Sequence, residues 1–232
     1  MSWKDKYRKA VTFSYDDGVT QDIRLIELFN KYNFKGTFNL NSELLGNSGM
    51  QERNGRRISH YKIVPDKVRD IYEGHEVAVH TLTHPTLVGL PEDEIIRQVE
   101  QDRLNLGELT GYEIVGMAYP NGPNDDRVAG IIREHTGVLY SRTTTCVDSF
   151  DEQTNFYRFN PNAHHRNTER IMKMGHDFIS LKPDKSQIFY IWGHSYEMDY
   201  ESDEWMKFEE FLKLISNHDD IFYGTNAEVL LG

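Results

Sequence analysis

The chain has 232 residues, 38% of them hydrophobic, with 26 Lys and Arg against 37 Asp and Glu and a net charge of −11. That length suits one large domain or two small ones and allows a sizeable core. The negative balance argues against nucleic acid, whose phosphates need clustered Lys and Arg, and against a surface that seeks anionic membranes; a neutral substrate is the easier fit.

Cys146 is the single cysteine, so no intrachain disulfide forms. The charged start, Met1 to Arg8, has no apolar core of a signal peptide, and no apolar run approaches the ~20 residues of a membrane span. The chain as given reads as cytoplasmic. With no internal repeat, low-complexity tract or linker, residues 1–232 read as one domain.

In chain order, Val11 to Tyr15 reads as a buried strand. Thr20 is placed to cap a helix carrying Ile23, Ile26, Phe29 and Tyr32, ended by Asn33 and Gly36. Thr37 to Leu40 is a second strand. The polar stretch Asn41 to His60 reads as a long surface loop. Pro65 opens a helix ending near Gly74, and Glu76 to Val79 is a third strand. Pro91 opens a longer helix with Ile95, Val99, Leu106 and Leu109 on one side and Gly111 as its stop. Ile114 to Tyr119 is a fourth strand, halted at Pro120. A helix through Val128, Ile131 and Ile132 precedes a fifth strand, Val138 to Tyr140. Arg142 to Arg166 shows no clear periodicity. A helix from Thr168, a sixth strand Ile188 to Trp192, a helix with Trp205, Phe208, Leu212 and Ile215, a seventh strand Ile221 to Tyr223 and a short helix capped by Thr225 complete the chain. About seven apolar strands alternating with helices predict an α/β fold with a parallel sheet. A distorted (β/α) barrel is the first expectation and an open doubly wound sheet the second. Either puts the active site at the carboxyl ends of the strands, where Asp16, Asp17, His80, Tyr119 and His194 fall.

Asp16-Asp17-Gly18 closes the first strand. Adjacent carboxylates there point different ways, so one can hold a metal while the other handles a proton; by itself the triplet is also ordinary turn chemistry. His80 and His84 are four apart. If residues 81–84 turn helically, both rings share a face. Two imidazoles and a carboxylate with an open position make a hydrolytic zinc site; the plain alternative is two unrelated surface histidines. The spacing matches the zincin helix, but Thr81 stands where its glutamate would be, which disfavours a metalloprotease. His194 follows an apolar strand and can serve as a general acid or as a histidine bonded near the core. Trp192 reads more readily as core than as a substrate platform. His164 and His165, adjacent in an extended segment, face opposite ways and make a poor chelate. Cys146 has no partner motif and reads as inert.

Together these pieces resemble the polysaccharide deacetylase family, the NodB-homology carbohydrate esterases. Phe13 to Gly18 is similar to the family's Thr-Phe-Asp-Asp-Gly motif, with Tyr15 in the Phe position. His80-Thr81-Leu82-Thr83-His84 matches its His-(Ser/Thr)-x-x-His motif. Ile191-Trp192-Gly193-His194 looks like the motif around a catalytic His, with one residue more, and Gly36-Thr37-Phe38 is similar to the family's second strand. The resemblance runs from about Lys9 to Tyr223. It implies a distorted (β/α) barrel and a divalent metal, usually zinc, with cobalt or nickel as alternatives. It implies Asp17, His80 and His84 as ligands, Asp16 as general base and His194 as general acid. A backbone N–H near Tyr119 then helps to stabilise the oxyanion, and Tyr119 and Trp192 are the candidate substrate contacts. The sequence departs from the family in two places. Met117 to Gly122 lacks the third motif's Arg, and the fourth motif, Asp-x-x-Asp-Trp, has no clear counterpart. Arg142, just after the fifth strand, is placed to take over the missing Arg's role and hold Asp16 through two parallel N–H bonds; a solvated surface Arg is the alternative.

The leading expectation is a metal-dependent deacetylase of N- or O-acetylated sugars or polysaccharide. A metal-dependent amidase of a small cytoplasmic metabolite is a close rival, and an inactive carbohydrate-binding protein is the third reading. Acetylated carbohydrate or a small amide is the expected partner, with no nucleic acid and no membrane; oligomeric state is left open.

Overall fold

Strand β1, Lys9–Asp16, is buried along its whole length and sends its side chains alternately into two different cores. In the computed structural model, which describes residues 2–232, Val11, Phe13 and Tyr15 pack outward under the helices. Phe13 meets Phe29 and Phe34 there at ring-centroid distances of 4.8 and 5.3 Å. Ala10, Thr12, Ser14 and Asp16 point the other way, into the curl of the sheet.

The elements follow in order: α1 (Asp22–Lys31), β2 (Thr37–Leu40), β3 (Met50–Arg53), β4 (Arg56–Ser59), α2 (Val68–Ile71), β5 (Glu76–Val79), α3 (Glu92–Ile96), a π-turn (Arg97–Gln101), α4 (Asp102–Thr110), β6 (Gly116–Ala118), α5 (Asp126–His135), β7 (Tyr140–Arg142), β8 (Ala163–His164), α6 (Thr168–Ser180), β9 (Gln187–Gly193), α7 (Glu204–Ile215), β10 (Ile221–Tyr223) and α8 (Asn226–Leu230). The sheet has eight strands in the order β7-β6-β5-β2-β1-β9-β8, with β10 also paired to β1, and every pair in it is parallel. This is the expected curled α/β barrel sheet covered by helices. Each of the seven expected strands is present.

The eighth, β8, sits in the aperiodic stretch after Arg142 and draws the two sheet edges together. Phe159 bonds β7 from both its backbone groups (to Ser141 and Thr143, each 2.9 Å). Four residues later Ala163 and His164 pair with Ile191 and Trp192 of β9. A two-residue strand carries too little sequence to show a period.

The barrel interior is polar. Glu76, fully inside, accepts from Thr37 Oγ1 (2.7 Å) and from the Tyr140 hydroxyl (2.9 Å). Asn226 of α8 bonds Thr12 (2.8 Å) and the Tyr190 hydroxyl. A Cβ on Gly116 would lie 2.1 Å from the Tyr140 hydroxyl oxygen, so β6 needs glycine where that ring crosses it.

Several local expectations are corrected. Thr20 does not cap α1; its N-cap is Gln21, with no side-chain bond. Ile23 is 42% exposed, and α1 buries Asp22, Leu25, Ile26 and Phe29 instead. The fifth strand lies two residues later than expected, as β7, because Leu139 is exposed and Arg142 is buried. The stretch 41–60 is no plain loop. It holds the antiparallel hairpin β3–β4, turned at Asn54 (φ 52°) and Gly55 (φ 76°), the Asn-Gly pair that a type I′ turn demands. No described helix is long and apolar enough to cross a membrane.

Candidate active site

β1 delivers Asp16 at its last residue, and the chain then bends sharply. Asp17 takes φ 86° and Gly18 φ 60°. Positive φ at a non-glycine residue stores strain and persists only where surroundings impose it. Here the Asp17 amide donates to the Asn39 carbonyl (2.9 Å), and Lys62 Nζ donates to the Asp17 carbonyl (2.7 Å).

β5 delivers His80. The segment after it is not helical: Thr81 (φ 67°) and His84 (φ 63°) are both left-handed, which corrects the helical turn expected there. The folded-back loop still brings the two imidazoles together, with ring centroids 4.8 Å apart. His80 Nδ1 donates to the Ala118 carbonyl (2.8 Å), which leaves Nε2 to face the cleft. Ligand atoms of Asp17, His80 and His84 all lie within 4.8 Å of one another. Burial pushes His80 down to about 4 and lowers His84 as well, so both offer neutral imidazole. One carboxylate, two neutral imidazoles and a carbonyl fixing one ring's tautomer fit a divalent cation.

Asp16 and Arg142 face each other inside the barrel, 2% and 0% exposed. Arg142 Nη2 lies 2.6 and 2.5 Å from the two Asp16 oxygens, Nε donates to Ser14 Oγ (3.1 Å) and Nη1 to the Thr143 carbonyl (3.1 Å). The expected pair of parallel N–H bonds from two nitrogens is therefore replaced by one nitrogen straddling the carboxylate, because Nε is taken by Ser14. Asn39 Nδ2 adds a bond to Asp16 Oδ1 (2.8 Å). Burial drives the Asp16 carboxyl upward, but the charges of Arg142, His80 and His194 together with the Arg142 hydrogen bond outweigh it, and the group ends below the usual carboxylate range. Asp17 ends well below that range, since the bond from His60 and the charge of Lys62 outweigh its burial.

His194 enters from the end of β9, its Nε2 3.9 Å from Asp16 Oδ2 and its Nδ1 3.3 Å from Glu197 Oε2. Burial would lower it, but the Glu197 bond and the Asp17 and Asp16 charges raise it to about 9. Asp16, Asp17, His80, His84 and His194 line a cleft of about 420 Å³ together with Tyr119, Trp192 and Tyr196. The Trp192 ring lies under the Arg142 guanidinium, 4.6 Å from it. Tyr119 turns its hydroxyl to the Tyr157 carbonyl (2.8 Å), and its amide donates to the Arg142 carbonyl (3.1 Å). That amide is therefore not free to meet an oxyanion. Cys146 is exposed and free.

His164 and His165 do not face apart as expected. β8 ends at His164 and the chain turns, so both Nε2 atoms reach Glu197 Oε2, at 3.0 and 3.2 Å. This His-His-Glu group has metal-like spacing, but its hydrogen bonds are already complete. His164 Nδ1 accepts from the Arg166 amide (3.3 Å), so its Nε2 carries the hydrogen and donates to Glu197. His165 Nδ1 meets the Tyr15 hydroxyl (3.1 Å). Three imidazoles thus converge on one carboxylate oxygen.

Glu197, His60, Lys62, Asn39 and Ser14 were not singled out from sequence. His60 Nε2 lies 3.3 Å from Asp17 Oδ2 and Lys62 Nζ 3.4 Å from Oδ1; both follow the hairpin that its Asn-Gly turn announces. Glu197 sits three residues after His194 and accepts from its backbone amide (3.3 Å), in the spacing of a capping box.

A family model described as polysaccharide deacetylase matches residues 4–138. The chain belongs to the polysaccharide deacetylase family. The matched span holds Asp16, Asp17, His80, His84 and Tyr119; Arg142, Trp192 and His194 lie beyond it. Among curated relatives, the peptidoglycan-N-acetylglucosamine deacetylase PgdA of Listeria monocytogenes is 26% identical over 129 residues, 54% of this chain and 24% of that protein. The chain thus spans about a quarter of that relative's length. A polysaccharide deacetylase structure from Mycobacterium smegmatis superposes with a TM-score of 0.71 at 17% identity, covering 100% of this chain and 92% of that one. Puue allantoinase superposes at 0.70 and 12% identity, covering 99% and 91%. At such identities these two show the shared fold of this deacetylase-family chain.

Proposed function

We propose that this chain is a divalent-metal-dependent hydrolase that removes acetyl groups from N- or O-acetylated sugars. The observation that carries the reading is the convergence of Asp17, His80 and His84 beside an Arg142-held Asp16, with protonated His194 facing the same carboxylate. Zinc held by Asp17, His80 and His84 would supply a Lewis acid that acidifies water and polarises a carbonyl. Asp16 is the general base. Arg142, Ser14 and Asn39 keep it ionised and aimed, so it is ready to take a proton from attacking water. His194 is the general acid: Glu197 fixes its Nδ1–H, so the proton it gives to the departing amine or alcohol comes from Nε2. Trp192 and Tyr119 wall the acetyl-bearing group and exclude water.

PgdA, by its name, acts on peptidoglycan N-acetylglucosamine, which supports an acetylated amino sugar here. The cleft volume of about 420 Å³ is in the range of small-molecule sites. The cleft holds a sugar unit or a small amide metabolite, and an adjoining hollow of about 270 Å³, which shares Asp17, Gln51 and His84, leaves room for further units of a longer chain. The test is acetate release from N-acetylglucosamine, chitooligosaccharides of increasing length, and acetylxylan. Release from the short amides supports the reading. Zinc-loaded protein that frees no acetate from any of them overturns it.

A further inference from the structure

The loop that carries His80 and His84 is strained at two of its five residues, Thr81 and His84, and something must hold it. Asn41 Nδ2 donates to the Thr81 carbonyl (3.0 Å) and Thr81 Oγ1 accepts from the His84 amide (3.1 Å), and the residues on either side of Thr81 are tied to the long helix behind the loop. Within the π-turn Arg97–Gln101 the ladder slips: the Asp102 amide bonds the Val99 carbonyl where a regular helix would use Gln98. The Gln98 carbonyl instead accepts from the Leu82 amide of the loop (3.0 Å). The Gln98 side chain takes the Thr83 amide on Oε1 (3.2 Å) and gives Nε2 to Thr83 Oγ1 (3.0 Å). One turn on, Asp102 is fully buried; its Oδ2 shares the His80 amide (3.1 Å) with the Leu40 carbonyl (2.9 Å), and its Oδ1 accepts from the Ser42 amide (2.7 Å).

Among the described residues Asp102 has no basic side chain within ion-pair distance. A buried carboxylate without a cation is costly unless hydrogen bonds compensate it. An apolar residue would serve packing better, so what this carboxylate supplies is its two aligned acceptors. π-turns inside α-helices are rare and recur at functional sites.

We infer that Asp102 and the π-turn residue Gln98 are positioning residues that preorganise His80 and His84, and so set the affinity of the Asp17–His80–His84 site for a divalent cation without touching it. The inference rests on the metal reading above. It requires that the strained loop relax when these acceptors are lost, spreading the two imidazoles.

The test is the zinc affinity of the full chain, measured by competition with a chromophoric chelator, alongside the thermal midpoint and near-UV circular dichroism. Asp102→Asn keeps the shape but sets an NH2 against one of the two amide donors. It should weaken zinc binding by about 10- to 100-fold, as other outer partners of metal ligands do, with the aromatic spectrum unchanged. Gln98→Ala should weaken it by a smaller factor, and exposed Leu104→Ala on the same helix by none. Asp102→Asn binding zinc as tightly as the parent overturns the inference and leaves the metal reading standing; a parent that binds no zinc overturns both. If Asp102→Asn does not fold, Gln98→Ala decides: affinity equal to the parent's overturns the inference.

Discussion

Arg142 Nη2 lies 2.6 and 2.5 Å from the two carboxylate oxygens of Asp16, and both side chains are shut away from solvent. The same guanidinium spans to Ser14 through Nε and to the Thr143 carbonyl through Nη1. An ammonium cannot make those contacts at once. Arg142→Lys is expected to lower kcat/KM for acetate release at least tenfold while zinc stoichiometry stays at the parent value. Arg142→Ala should also cost roughly 3–5 kcal/mol in urea unfolding, because it strands a buried charge.

Asp16→Asn separates the base from the metal ligands. It should leave zinc binding intact and lower kcat by about 10²–10⁴. His194→Ala should lose most on amides and least on aryl acetates, whose leaving group needs no proton. Equal losses on both would assign His194 to orientation rather than to proton donation.

The acid's proton sets the basic limb of the pH profile. His194 is raised to about 9, so the acid form is full well below that pH and is lost as pH rises through it. A bound dication opposes the raising, which puts the limb of kcat/KM at or below about 9. Glu197→Gln removes the carboxylate that holds Nδ1–H and should move the limb to lower pH, by roughly one unit. A limb that stays in place would mean that Glu197 does not tune His194.

The fold makes a claim of its own at Gly116. A methyl group there would sit 2.1 Å from the Tyr140 hydroxyl oxygen, which is tied to buried Glu76. Gly116→Ala should destabilise the chain by about 2–3 kcal/mol in urea unfolding. An unchanged midpoint would show that the Tyr140 ring can swing away at little cost.

Much of the frame was legible in sequence because burial on both faces writes itself as apolar runs. Ile188 to Trp192 and Glu76 to Val79 could be read as strands, and the carboxyl ends then located Asp16, His80 and His194. What escaped was set by tertiary contacts. β8 is too short for a period. The convergence of His164 and His165 on Glu197 depends on a turn that no spacing encodes, and the left-handed Thr81 and His84 sit in a loop bonded to the distant Asn41 and to the helix behind it. The hairpin is different: Asn54-Gly55 stood in the sequence as a type I′ signal, and the polar composition around it hid the strands.

The central claim is that Asp17, His80 and His84 hold one catalytic divalent cation. The most direct measurement is acetate release as metal-stripped protein is titrated with zinc. The expected curve rises from near zero and saturates at about one equivalent per chain, and Asp17→Asn, His80→Ala and His84→Ala each need far more zinc to reach any activity. Full acetate release by the stripped protein, or an unshifted zinc curve in all three variants, would contradict it.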